Sequence, residues 1–242
     1  MSECWAKSHT PCGLGASREH YISAGLFDQP TIFVQGFDWC PEEKEIGIGA
    51  LTSKILCRKH NSILSGADMG GIRAVQAIDL TTDPAGDTLD ELNGLSLERW
   101  LLKTAINVTF RGKQKLGIGM RGAEIGYPAP YLLEAVFGGR VLEYKMGVYV
   151  LFPKGQYLFR KGEIVVVPIH KEGEIGGLYF NLRGVHFFLS LFPGHAPPSL
   201  RELGMASLPD HVLDAVPVYR PQSVVIPKPS GATSTITLAW SQ

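Results

Sequence analysis

Cys57-Arg-Lys-His60 sets a thiol and an imidazole three residues apart, close enough for one tight turn to aim both at a single ion. Such a pair needs two further ligands, and Cys4 and Cys12 are the simplest source. Seven residues separate them, more than the usual ~2–4, so Cys40 and His9 stand as substitutes. All four cysteines fall in the first quarter of the chain. The start of the chain lacks the basic-then-apolar pattern of a secretory leader, so a cytoplasmic, reducing location is expected. There, clustered cysteines more often hold metal than pair as disulfides. A structural Zn2+ on Cys4, Cys12, Cys57 and His60 would offset the entropy of ordering a loop-rich segment.

Glu19-His20 and Asn61 add a different chemistry. A neutral imidazole accepts a proton near pH 7, and a carboxylate with an amide carbonyl supplies the oxygen donors that a hard cation prefers. In order along the chain come a Cys pair, an acidic-His dipeptide running into Tyr21-Ile-Ser, then Cys57-x-x-His60 followed at once by Asn61. This order resembles the HNH (ββα-metal, His-Me finger) endonuclease family over residues 4–75. The resemblance implies that His20 is the general base that takes a proton from the attacking water. It implies that Asn61, helped by Glu19, holds Mg2+ or Mn2+ as Lewis acid on the phosphate, apart from the structural zinc. The family often carries a middle Asn shortly before the second metal pair. Leu51-Thr-Ser-Lys54 fills that stretch here, so Thr52 or Ser53 would have to orient His20. Read without the resemblance, His20 is an ordinary surface histidine, Asn61 a helix N-cap and Asp68 a lone exposed carboxylate.

These residues must be carried by elements. Thr31-Ile-Phe-Val-Gln is β-prone, and Ile46–Ile55 reads as a second strand or a short helix. From Asn61 to Ile78 apolar residues recur at helical spacing, with Gly66, Gly70 and Gly71 against it. Thr81–Asp87 reads as a turn or linker, Leu89–Ile106 as a helix, and Tyr131–Phe137 as a short helix behind Pro128 and Pro130. Beyond Asn107 short apolar runs begin at Val148, Tyr157, Ile164, Leu178, Val185 and Ser234, with turn residues between most of them. That pattern predicts an antiparallel sheet, sandwich or partial barrel. The expected class is α+β: a zinc-stapled ββα-metal module over residues 1–80, a helical connector over 81–107, and a β-rich antiparallel domain over 108–242.

The remaining motifs carry less. Gly117-Ile-Gly-Met-Arg-Gly122 matches a dinucleotide-binding pattern but lacks the strand and helix that make it one. Arg111, Lys113, Lys115 and Arg121 read as a solvated basic hairpin, and His186 as a satisfied core histidine. With 45% apolar and 19% charged residues the chain can bury a core, and no apolar run reaches membrane-spanning length. Zero net charge excludes a strongly basic coat protein and predicts salt-sensitive binding to nucleic acid through a local positive track. The expected function is metal-dependent hydrolysis of nucleic-acid phosphodiester bonds, DNA first, with the β-rich part recognising a substrate or protein partner; defence against foreign DNA fits by association. The alternative is a non-catalytic zinc-stapled binding protein, or a degenerate HNH fold.

Overall fold

The computed structural model describes residues 4–13, 15–34, 40, 42, 44–82, 91–153, 164–194, 199–203, 208–227 and 233–241. The class is α+β, with helices packed on antiparallel sheets. Strand β1 (Ala16–His20) pairs antiparallel with β4 (Thr52–Cys57). Between them lies a second hairpin, β2 (Thr31–Val34) with β3 (Lys44–Gly47). The stretch Ile46–Ile55 therefore divides between β3, a single 3-10 turn at Ile48–Ala50, and β4. Strand β4 runs without a linker into helix α1 (Arg58–Thr82), giving a strand–strand–helix unit.

Helix α1 continues through exposed Gly66, and Gly70 and Gly71 are contact points. Helix α2 (Gly94–Gly112) crosses so closely that a Cβ on Gly70 would lie 2.2 Å from the Ser96 carbonyl oxygen, and one on Gly71 2.4 Å from the Trp100 ring. Missing side chains here gain contact between helices that outweighs their poor helix propensity. The start of α2 differs from the expected Leu89: Asn93 is the N-cap, its Oδ1 accepting from the Ser96 N–H at 2.8 Å. Residues 83–90, which hold most of the expected linker, lie outside the described residues, as does the Tyr157 run.

The rest follows in chain order. After the two-residue strand β5 (Leu92–Asn93) and α2 comes the short helix α3 (Pro130–Val136), which takes in Pro130 as its first residue, one before the expected Tyr131, and has Phe137 as its C-cap. Strands β6 (Gly147–Phe152), β7 (Ile164–Lys171), β8 (Glu174–Leu182) and β9 (Val185–Ser190) follow. They are succeeded by helix α4 (Asp210–Leu213) and strands β10 (Val216–Tyr219), β11 (Ser223–Pro227) and β12 (Thr233–Ala239). A five-stranded antiparallel sheet has the order β10-β6-β9-β8-β7, and β12 joins β11 to β5 in a smaller sheet.

Strands β8 and β9 are buried on both faces, which is why they read as continuous apolar runs. One face, with Val148, Val150, Phe180 and Leu189, joins the core built on α1 and α2; Trp100 meets Phe180 there at 5.8 Å. The other, with Tyr149, Tyr179 and Phe188, is covered by Val212 and Leu213 of α4. The first core runs from Cys4 to Leu238, so the segments 1–80, 81–107 and 108–242 share one interior, and α2 is its central helix rather than a connector. Arg183, at the β8–β9 turn, is buried and reaches back to Asp28 (2.9 Å), Asp79 (3.2 Å) and the Leu26 carbonyl (3.3 Å). Among the described residues no helix is long and apolar enough to cross a membrane.

Candidate metal centre and the buried ion cluster beside it

Four sequence-predicted ligands converge. The Sγ atoms of Cys4, Cys12 and Cys57 and a ring nitrogen of His60 lie within 4.8 Å of one another. Strand β4 supplies Cys57 as its last residue, and the first turn of α1 returns His60 to the same side. Cys4 is tied down by the Trp5 N–H on Ile55 O (3.1 Å) and by the Cys57 N–H on its own sulfur (3.3 Å). His60 Nδ1 lies 3.3 Å from Cys4 Sγ and 3.2 Å from Cys57 Sγ. With its hydrogen on Nε2, His60 donates to Thr10 Oγ1 (2.7 Å) and presents a bare Nδ1 to the sulfurs. A tetrahedral zinc site spaces its ligand atoms by about 3.5–3.8 Å, so this Cys3His group can bind a metal ion such as zinc with small adjustments.

The thiols are set apart electrostatically. Burial pushes Cys4 up to about 12, only partly offset by the amides of Cys57 and Ala6. For Cys57 burial also acts upward, but the amides of His60 and Gly13 and the thiols of Cys12 and Cys4 outweigh it and hold it below its ordinary value. Metal binding at this group is therefore proton-releasing. The substitutes lie elsewhere: Cys40 is buried and donates to Glu42 O (3.4 Å), and His9 stacks on Phe137 at 4.3 Å.

Glu19, His20 and Asn61 sit along the same hairpin, in a different arrangement from that which the resemblance implies. Asn61 is inside the first turn of α1, not at its N-cap, and its Nδ2 donates to Ser17 Oγ (2.9 Å) and Arg18 O (3.5 Å). The β1–β4 register sets His20 opposite Thr52 and Glu19 opposite Ser53, with a bulge between Ser17 and Glu19 in which Lys54 and Ile55 of β4 face the single residue Arg18. Thr52 Oγ1 donates to Gly49 O (2.8 Å). His20 is held from behind by Asn107 of α2, whose Nδ2 donates to the His20 carbonyl (3.1 Å) while its Oδ1 accepts from Trp5 Nε1 (3.0 Å). Asn107 thus couples the Cys4 segment to His20.

Glu19 is buried against Lys103 of α2, Nζ to Oε1 being 2.7 Å. The same ammonium donates to both oxygens of Asp68, each at 2.8 Å. Asp68 also accepts from Ser23 Oγ (2.5 Å), which in turn accepts from Trp100 Nε1 (3.0 Å). Burial raises the Glu19 carboxyl above its ordinary value against the pull of Lys103. Burial lowers the His20 imidazole; Asp68 opposes this and Lys103 adds to it, so the ring is neutral near pH 7.

No family model, curated protein or solved structure matches the chain. The site therefore speaks through its own geometry. The sequence reading missed Lys103, Asn107 and Ser23, and took Asp68 for a lone exposed acid. One signal was present: Lys103 is the single charge between Trp100 and Phe110. A lysine set in such a run, if buried, requires a carboxylate partner.

Elsewhere the glycine motif and His186 behave as read, whereas the basic run is no hairpin: Arg111 lies in the last turn of α2 and Lys113 is its C-cap. Gly117, Gly119 and Gly122 all have positive φ in a turn segment with no helix after it. Lys115 is paired with Glu174. His186 is buried with its Nδ1 2.7 Å from Tyr179 Oη.

Proposed function

We propose that the chain hydrolyses nucleic-acid phosphodiester bonds, with His20 as general base on a metal-stapled strand–strand–helix unit. The observation that carries this reading is the β1–β4–α1 unit, fastened at its base by Cys4, Cys12, Cys57 and His60 and bearing a half-buried neutral imidazole at the end of β1. The order of Glu19-His20, Cys57-x-x-His60 and Asn61 along the chain, which resembles that of HNH endonucleases, supports it. The zinc is structural here: it fixes the spacing of the strands and of α1 and so fixes His20. Duplex DNA is the substrate tried first.

A second reading has a specific observation behind it. Glu19, the expected partner of a divalent ion, is already neutralised by Lys103, as a non-catalytic zinc-stapled binding protein would tolerate. Plasmid nicking by purified protein separates the two. The hydrolase reading expects nicking that His20→Ala abolishes, with zinc content and circular dichroism unchanged. A wild type that binds DNA without nicking it in any buffer leaves the binding module.

A further inference from the structure

The divalent ion implied by the resemblance does not fit the residues present. Lys103 spends its three N–H donors on Glu19 Oε1 and on both Asp68 oxygens, at 2.7–2.8 Å. The Lys103 side chain is 2% exposed, so the ammonium cannot swing out into water. Mg2+ requires oxygens at about 2.1 Å and would have to share these carboxylates with a fixed positive charge about 4 Å away. The amide of Asn61 is turned onto β1 through Ser17 Oγ. The pattern is that of a cation site filled by a side chain.

Positive charge lies instead on the open side of the hairpin. Arg18, Thr52, Ser53 and Lys54 line, with Gly49 and Ala50, an open polar hollow of about 380 Å³. Thr52 is the cross-strand partner of His20, and such partners share a face of the hairpin. We infer that Lys103 is the resident cation of this site and that cleavage proceeds without a hard divalent ion, Arg18 and Lys54 taking the phosphate charge. The inference rests on the hydrolase reading. His20 removes a proton from water as its oxygen bonds to phosphorus. The ester P–O bond breaks, the leaving oxygen takes a proton from solvent, and the imidazolium returns its own to solvent. The Asp68 carboxylate favours the imidazolium as it forms.

The test uses the full-length zinc-loaded protein. Mn2+ uptake is followed by the electron-spin resonance of the free ion, and plasmid nicking is measured with Mg2+ and in buffer freed of divalent ions, zinc content being checked in both. The wild type is expected to take up no Mn2+ and to nick at rates within about twofold in the two buffers. Lys103→Met is expected to take up one Mn2+, lost again on adding Asp68→Asn, while Lys103→Arg stays inert to Mn2+. A wild type that takes up Mn2+ in a way Asp68→Asn removes, or that nicks at least about tenfold faster with Mg2+, overturns the inference. Should Lys103→Met fail to fold, the wild-type and Lys103→Arg measurements decide. Nicking in neither buffer sinks the hydrolase reading; Mn2+ exclusion then still supports Lys103 as the resident cation, and Mn2+ uptake still overturns it.

Discussion

Cys4 and Lys103 both depend on partners brought from far along the chain, and the two fail differently when cut. Replacing Cys4 or Cys57 with Ser removes one ligand of a closed set, so zinc content measured by mass spectrometry falls to near zero while Cys40→Ser leaves it intact. The expected loss of about 3 kcal/mol corresponds to roughly 6–12 °C in Tm for a chain of this size. Lys103→Met leaves Glu19 and Asp68 facing each other without their cation. Stability should drop by about 3–5 kcal/mol in urea unfolding, and Glu19→Gln with Asp68→Asn should recover much of it. Full stability in Lys103→Met alone would mean that the ion cluster is not buried as described. The convergence of Cys4, Cys12, Cys57 and His60 was legible in the sequence because Cys57-x-x-His60 is a local pattern that narrows the search for the rest. Lys103 and Asn107 were not: they reach Glu19 and His20 across more than eighty residues of chain, and only the packing of α2 makes them neighbours.

At the scale of elements, the crossing of α1 and α2 holds the site in shape, since α1 supplies His60, Asn61 and Asp68 and α2 supplies Lys103 and Asn107. Gly71→Ala should be destabilising by about 1–3 kcal/mol through overpacking against Trp100, although alanine is worth about 1 kcal/mol more than glycine in an isolated helix. Thermal melts of the variant settle the sign. A gain in Tm would mean that the helices are further apart than described. The strands β6, β7, β8, β9 and β12 were visible as apolar runs. Strands β1, β5, β10 and β11 were not, because they are short; β1 and β10 also lack a continuous buried face, and β1, β5 and β10 are defined by partners distant in sequence. The helical period of α1 survived three glycines that local propensity counts against it.

For the molecule as a whole, buried imidazoles set the acid limit of stability. Burial, with His211 adding to it, lowers His186 to about 4. A histidine whose folded value is depressed contributes stability that is complete above its unfolded value near 6.5 and is lost as pH falls toward the folded one. Unfolding free energy should therefore fall by about 3 kcal/mol between roughly pH 6.5 and pH 4 on account of His186. His20 and His60 are shifted in the same direction and steepen the fall. His186→Asn should flatten that limb in a pH series of urea titrations, and an unchanged slope would remove His186 from the account. The reach of Arg183 from the β8–β9 turn to Asp28 and Asp79 has another consequence. Since β8 and β9 clasp the first hundred residues through a guanidinium, the end that carries the Cys3His group cannot be lifted out as a cassette and grafted onto another protein. Whatever that end does, it does as part of an indivisible chain, and a fragment stopping near residue 107 would come out of the ribosome with its apolar flank bare and precipitate.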